Sequence, residues 1–223
     1  MDTIKPMARQ QKKPSEKIGL AVFLALYVFV FVLRVPGMIY DGATFIWIQV
    51  SIYGLLGVSG AFLFRQTFFV GFKKWRTAPL KSILCLLGAY AGGMLVMQIA
   101  SLPAYIVGME APQNDANALL AIQMLGIPAS ILILGLAGPV VEEVIYRAFL
   151  IEKRKIPLWT CVILSSSLFA LAHLHGLSLI DFVGILPHFA VAIVYGIVYA
   201  YTGNITLPLI IHVMNNTVAI ISL

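Results

Sequence analysis

Seven apolar runs separated by short polar breaks set what this chain can fold into: residues 18–33, 44–64, 82–106, 128–151, 157–173, 182–201 and 205–223. A bilayer's hydrocarbon layer is about 30 Å thick, and about 20 apolar helical residues cross it. No water reaches that layer to bond exposed backbone groups, so a span must satisfy them internally, as an α-helix does. The pattern predicts an all-α, polytopic membrane bundle of about seven transmembrane helices (six to eight), with interfacial helices. Composition agrees: 61% of residues are hydrophobic and 11% charged, against about 25% charged in soluble domains. The expected organisation is a basic cytoplasmic tail (1–17), N-terminal spans with an interfacial segment (18–127) and a C-terminal core (128–223), forming one membrane domain.

The net charge of +6 does not point to nucleic acid. The basic residues gather in three clusters between apolar runs: Lys5, Arg9, Lys12, Lys13 and Lys17; Arg65, Lys73, Lys74, Arg76 and Lys81; and Lys153, Arg154 and Lys155. Such clusters mark cytoplasmic loops. With seven spans and the amino terminus inside, all three fall on one side, and Glu110 and Asp115 fall in an outer loop. Phe68, Phe69, Phe72 and Trp75 interleave with the second cluster, which predicts a segment lying along the inner interface. A short helix is expected over 116–126. The first run lacks a small-residue cleavage site and reads as a retained span. Gly54, Gly57 and Gly60, then Gly88 and Gly92, are expected as packing contacts. Cys85 and Cys161 lie inside apolar runs and read as packing residues, without a disulfide scaffold or zinc–cysteine site.

One apolar run carries charge where charge is expensive. Glu142, Glu143 and Arg147 lie within six positions of each other in the fourth span, and each charge near a bilayer centre costs about 2.5–3.5 kcal/mol on insertion scales. Such residues are tolerated when they face a protein interior and neutralise one another. Glu143 and Arg147 are four apart and stack on one helix face, where they can pair. Glu142 lies about 100° round the helix, which leaves it as the carboxylate available for chemistry.

The last three spans add His173, His188, His212, Asn215 and Asn216. At 1.5 Å per residue, Glu142, His212 and His173 lie roughly 15, 10 and 24 Å from the inner ends of their helices. With ordinary tilt all three reach the middle third of the bilayer. Asn216 shares a face with His212, and Phe169 shares one with His173. His175 reads as an outer-loop residue and His188 as interior packing or cavity lining.

Glu142-Glu143-xxx-Arg147, Phe169-xxx-His173 and His212-xxx-Asn216, in this order on successive hydrophobic segments, resemble the three motifs of the CPBP intramembrane protease family. That family is also called the Abi or CAAX-protease family and includes the prenyl-protein endopeptidase Rce1. Tyr195-Gly196, Thr202-Gly203-Asn204 and Pro208 resemble its last block, and the likeness covers residues 128–220. The resemblance implies peptide-bond hydrolysis in the membrane, with relatives acting in CAAX processing and in bacteriocin processing and immunity. It makes Glu142 the base that takes a proton from water and His173 its helper. His212 and Asn216 would stabilise the oxyanion, Asn215 being an alternative to Asn216. Glu143, Arg147 and Phe169 would support the site. A metal-free water is favoured; in a metal-dependent version, Glu142, His173 and His212 would hold zinc with an open water position. The implied partner is a membrane-embedded or lipid-associated peptide or protein, and the setting a bacterial cell membrane.

Two other classes compete. A catalytically silent scaffold or bacteriocin-immunity protein would be expected to have lost part of this residue set, and none is missing. A proton-coupled transporter would show an internal repeat, and none is visible.

Overall fold

The protein is described from a computed structural model covering residues 14–108, 113–151 and 156–222, with side chains from residue 17 in the first stretch and from residue 117 in the second. The basic tail up to residue 13, Glu110 and the Lys153-Arg154-Lys155 cluster lie outside the described residues, as does the side chain of Asp115. The described residues form nine helices and no strand, as the apolar pattern requires. They are α1 (Pro14–Tyr27, prolonged by wider π-type turns over Val28–Val32), α2 (Gly42–Leu63), α3 (Arg65–Thr77), α4 (Pro79–Ile106), α5 (Gln113–Leu125), α6 (Ile127–Phe149), α7 (Leu158–Ala172), α8 (Leu179–Thr202) and α9 (Thr206–Ser222).

Five helical stretches are long and apolar enough to cross a membrane: Lys17–Met38, Gly42–Leu63, Pro79–Ile106, Ile127–Phe149 and Leu179–Thr202. Two shorter apolar helices, α7 and α9, complete the seven expected apolar elements. The surface is that of an integral membrane protein, apolar outside and polar within. Leu84, Leu95, Ile99 and Leu132 are exposed while Glu142, Glu143, Arg147 and His212 are buried.

Local chemistry explains the breaks. Asp41 precedes α2 and accepts the Thr44 amide at 2.7 Å, an N-cap that satisfies an otherwise orphan donor. Exposed to solvent, its carboxyl is held below the usual carboxylate range by that bond. Gly203 ends α8 with φ 54°, a left-handed conformation that suits glycine. Asn204 then accepts both the Thr206 amide and hydroxyl to start α9.

α6 is not a uniform helix. It alternates α turns with wider π-type turns over Ile131–Ala137 and Val144–Phe149. Pro139 has no N–H to give the Gly135 carbonyl four residues back, so regular winding cannot hold there. α6 packs against α2 closely enough that a Cβ on Gly57 would sit 2.7 Å from the Ala137 Cβ. Gly60 is similarly pressed against Phe23, but Gly54, Gly88 and Gly92 meet nothing within 4 Å. The small-residue contact is therefore confined to one stretch of α2, and the two α4 glycines do not make the packing contacts expected of them.

Two long-range ties fix the ends of the bundle. Lys74 of α3 donates to the Thr202 and Gly203 carbonyls, each at 2.8 Å, and Trp75 donates to Thr206 Oγ1 at 2.8 Å. The basic interfacial segment is thus anchored on the α8–α9 turn. At another position Arg34, just after α1, reaches the residues that follow α7. Cys85 and Cys161 are not joined in a disulfide.

Candidate active site

α6 places both carboxylates inside the bundle. Glu143 and Arg147 are fully buried, and Arg147 Nε lies 3.3 Å from Glu143 Oε2. The expected pair forms despite the wider turns of this helix. Neither atom has hydrogen-bond geometry, so the attraction is coulombic rather than a formed hydrogen bond. Arg147 donates through Nη2 to the Ala192 carbonyl at 3.3 Å, and its guanidinium lies over the rings of Phe169, Tyr195 and Tyr146 at 5.4, 5.6 and 6.0 Å. Aromatic faces carry negative potential and so disperse a buried cation.

His212, on α9, closes the group. Its Nδ1 is 3.0 Å from Glu143 Oε1 and its Nε2 is 3.4 Å from Glu142 Oε2. A carboxylate only accepts, and a neutral imidazole has one N–H. Both contacts are satisfied only when the trio holds one proton beyond two bare carboxylates and a neutral ring. Glu142's other oxygen, Oε1, accepts from the Tyr53 hydroxyl at 3.0 Å. Glu142 therefore stays out of the Arg147 pair, as expected, but it is held from two sides. Tyr53 was missed from sequence: it lies on α2, far from the charged run, and carries no spacing signal that singles it out.

Phe169 is the wedge of the site. Its ring meets His173, Tyr146 and His212 with centroids at 4.7, 5.3 and 5.7 Å. His173 ends α7, and its Nδ1 lies 2.8 Å from the Phe169 carbonyl. Because a carbonyl only accepts, Nδ1 carries the hydrogen, and a neutral His173 keeps a lone pair on Nε2. The turn holding His173 is clamped by Arg34, which donates to the Ala172 carbonyl at 3.0 Å and to the Leu174 carbonyl, and touches His175 Nε2 at 3.2 Å. Arg34 is the one non-glycine residue with positive φ (50°) among the described residues. Partial burial and the neighbouring Arg34 guanidinium push the loop residue His175 down to about 4.

The two asparagines are engaged by the protein. Asn216 Nδ2 donates to the Leu134 carbonyl at 3.1 Å, tying α9 to α6, and Asn215 Nδ2 donates to the Tyr195 hydroxyl at 3.2 Å. All four histidines of the chain, with Glu142, Tyr53, Asn215 and Asn216, line one cavity of about 720 Å³. The cavity also runs along an apolar wall of α2, α4 and α5 that includes Val50, Met94, Met97 and Ala121.

Among the described residues no three His, Cys, Asp or Glu side chains come together so that they could hold one ion. His212 has both nitrogens turned to carboxylates, and His173 gives Nδ1 to a carbonyl. The set Glu142, His173 and His212 does not fit a zinc centre in this geometry.

Comparison with known proteins shows what the segment carrying the site is similar to. Residues 124–218 match the family described as Rce1-like, type II CAAX prenyl endopeptidase Rce1-like. This segment holds all three motifs read from the sequence. Over 123 residues the chain is also 25% identical to a Bacillus subtilis (strain 168) protein named Putative membrane peptidase YdiL, covering 54% of this chain and 48% of that one. The chain thus spans about half the length of this curated relative. No solved structure matches.

Proposed function

We propose that this protein is an intramembrane endopeptidase that hydrolyses a peptide bond in a membrane-embedded or lipid-associated peptide or protein. One observation carries the reading. Within a segment of Rce1-like sequence, a buried carboxylate borders a cavity large enough for a peptide and is flanked by a tyrosine hydroxyl and an imidazole that also contacts a second carboxylate.

In this reading Glu142 is the base. Water oxygen attacks the scissile carbonyl carbon, a C–O bond forms, and the water proton passes to Glu142. The carbonyl π pair moves onto oxygen. When the C–N bond breaks, the leaving nitrogen takes that proton, so the sum is addition of water across the bond. A carboxylate positioned on a cavity wall is a common general base for such a step. His173 Nε2, left as an acceptor, orients the attacking water. His212 fixes Glu142 and holds the shared proton, while Glu143 and Arg147 supply the balancing charges. Asn216, with Asn215 beside it, offers its remaining amide N–H to the oxyanion, a type of donor worth several kcal/mol. No step runs through a metal, and elemental analysis of the purified protein checks that choice.

The catalytic core is residues 128–223, with 18–127 supplying surrounding spans, Tyr53 and Arg34, and 1–17 a basic tail. The amino terminus is cytoplasmic and the membrane that of a bacterial cell. The test is incubation of detergent-purified protein with a library of membrane-associated precursor peptides, read by mass spectrometry, comparing wild type with Glu142→Ala and His173→Ala. Cleavage products common to all three proteins would remove the mechanism.

A further inference from the structure

His188 is the histidine that the motifs leave unused. It sits in the first turn of the 17-residue stretch Leu186–Thr202, where α8 restarts after the break at Ile185. Its ring stacks on His173 with centroids 4.3 Å apart and planes 26° apart. Two imidazoles face to face do not hydrogen-bond each other, and of their ring nitrogens His173 Nδ1 meets the Phe169 carbonyl. The Nδ1 atom of His188 is buried yet meets no hydrogen-bond partner among the described residues. A buried polar nitrogen without a partner is destabilising, and native proteins keep few of them without a reason. His188 lines the same cavity as Glu142, His173 and His212, as do its neighbours Gly184 and Pro187.

The polar residues of the three motifs that line the cavity are each engaged within the protein. His212 turns both nitrogens to carboxylates, and His173 gives its N–H to Phe169. Asn215 and Asn216 each spend one N–H within the protein. The uncommitted imidazole lies against the histidine that orients water. It also lies in the opening turn of a helix, the end that favours negative charge.

We propose that His188, stacked on His173 and lining the cavity with neither ring nitrogen engaged by the described residues, uses the Nε2 edge of its ring, the one not sealed off by burial, to bind the carbonyl oxygen of a substrate peptide group and stabilise its negative charge as water adds. It donates a hydrogen bond and transfers no proton. This assignment rests on the protease reading above and adds to it a substrate-contacting residue outside the three motifs.

The test uses full-length protein in detergent and two variants. His188→Phe keeps a ring against His173 and removes both nitrogens; His188→Gln keeps a donor and loses the ring. Loss of one such donor typically lowers kcat by about 10²–10³. His188→Phe is expected to fall by that factor on any peptide the wild type cleaves, with thermal unfolding unchanged, while His188→Gln stays within about tenfold of wild type. A His188→Phe variant as active as wild type would overturn the assignment and leave the protease reading standing.

A second measurement is independent of turnover. With only four histidines in the chain, ¹⁵N-histidine-labelled protein gives few imidazole signals, and those missing from His188→Phe belong to His188. Adding a tripeptide aldehyde, whose hydrate mimics the adduct, should shift the His188 signals. If the wild type cleaves no peptide, the protease reading fails, and the aldehyde experiment still decides His188: a shift supports carbonyl binding and unchanged signals overturn it.

Discussion

Replacing Arg147 by methionine isolates the energetics on which the site rests. The substitution keeps an unbranched chain of similar length and removes the charge that opposes Glu143 at 3.3 Å, with both side chains fully buried. Breaking a buried pair by deleting one partner costs about 3–5 kcal/mol, because the remaining charge is left without compensation. Two features move the expectation within that range. Loss of the donor to the Ala192 carbonyl adds about 1 kcal/mol, whereas His212 Nδ1, 3.0 Å from Glu143 Oε1, still faces the stranded carboxylate and offsets part of the loss. The expected net destabilisation is about 3 kcal/mol, from the lower end of the pair-breaking range. The assay is unfolding by SDS titration in dodecylmaltoside, followed by far-UV circular dichroism. The double variant Glu143→Gln/Arg147→Met, which removes both charges, should recover at least half of the loss, since replacing both partners of a buried pair is often near neutral. If Arg147→Met were as stable as wild type, the buried charges would not be mutually dependent and the account of α6 would be wrong.

Other outcomes follow from the same contacts. Tyr53→Phe deletes the hydroxyl 3.0 Å from Glu142 Oε1; peptide cleavage should slow about tenfold, with stability falling by only about 1 kcal/mol, as read by kcat and by SDS titration. Gly71→Ala would put a Cβ 2.6 Å from Asn204 Oδ1 and 2.8 Å from Thr206 Cγ2, so it should cost about 1–3 kcal/mol by pushing away the residue that starts α9. His175 is held near 4 in the folded chain against an ordinary 6.5. The unfolded chain therefore binds the proton first as pH falls, and stability should drop between about 6.5 and 4 and level off below; His175→Gln should flatten that part of a pH series of unfolding curves. Arg34→Ala should loosen the turn after α7 and lower kcat more than it raises KM, with partial recovery in Arg34→Lys, because the residue acts by positioning His173.

The apolar runs made the membrane helices legible, and their ends fall close to the structural ones because span length is set by a physical thickness. The Glu143–Arg147 pair was legible for a similar reason: it is a local i, i+4 relation that survives the wider turns. The convergence of Glu142 and His212 was legible through depth along each helix, now seen as a 3.4 Å contact. Two things were not legible. Tyr53 and Arg34 reach the site from α2 and from the turn after α1, and no local spacing records which long-range partner a lone polar residue meets; His188 was legible as a cavity-lining residue but not its stacking on His173. The engagement of His212 by both carboxylates also could not be read, since it depends on how α9 is rotated against α6. The expected packing role of Gly88 and Gly92 failed because a small residue permits close approach without supplying a neighbour.

The central claim is that Glu142 takes the proton of the attacking water. Its most direct test is kcat for Glu142→Gln against wild type on one cleaved peptide, with circular dichroism confirming that both are folded. Glutamine is nearly isosteric and can still bond Tyr53, but it cannot accept a proton usefully, so the account predicts a fall of at least about 10². Turnover within about threefold of wild type would contradict it.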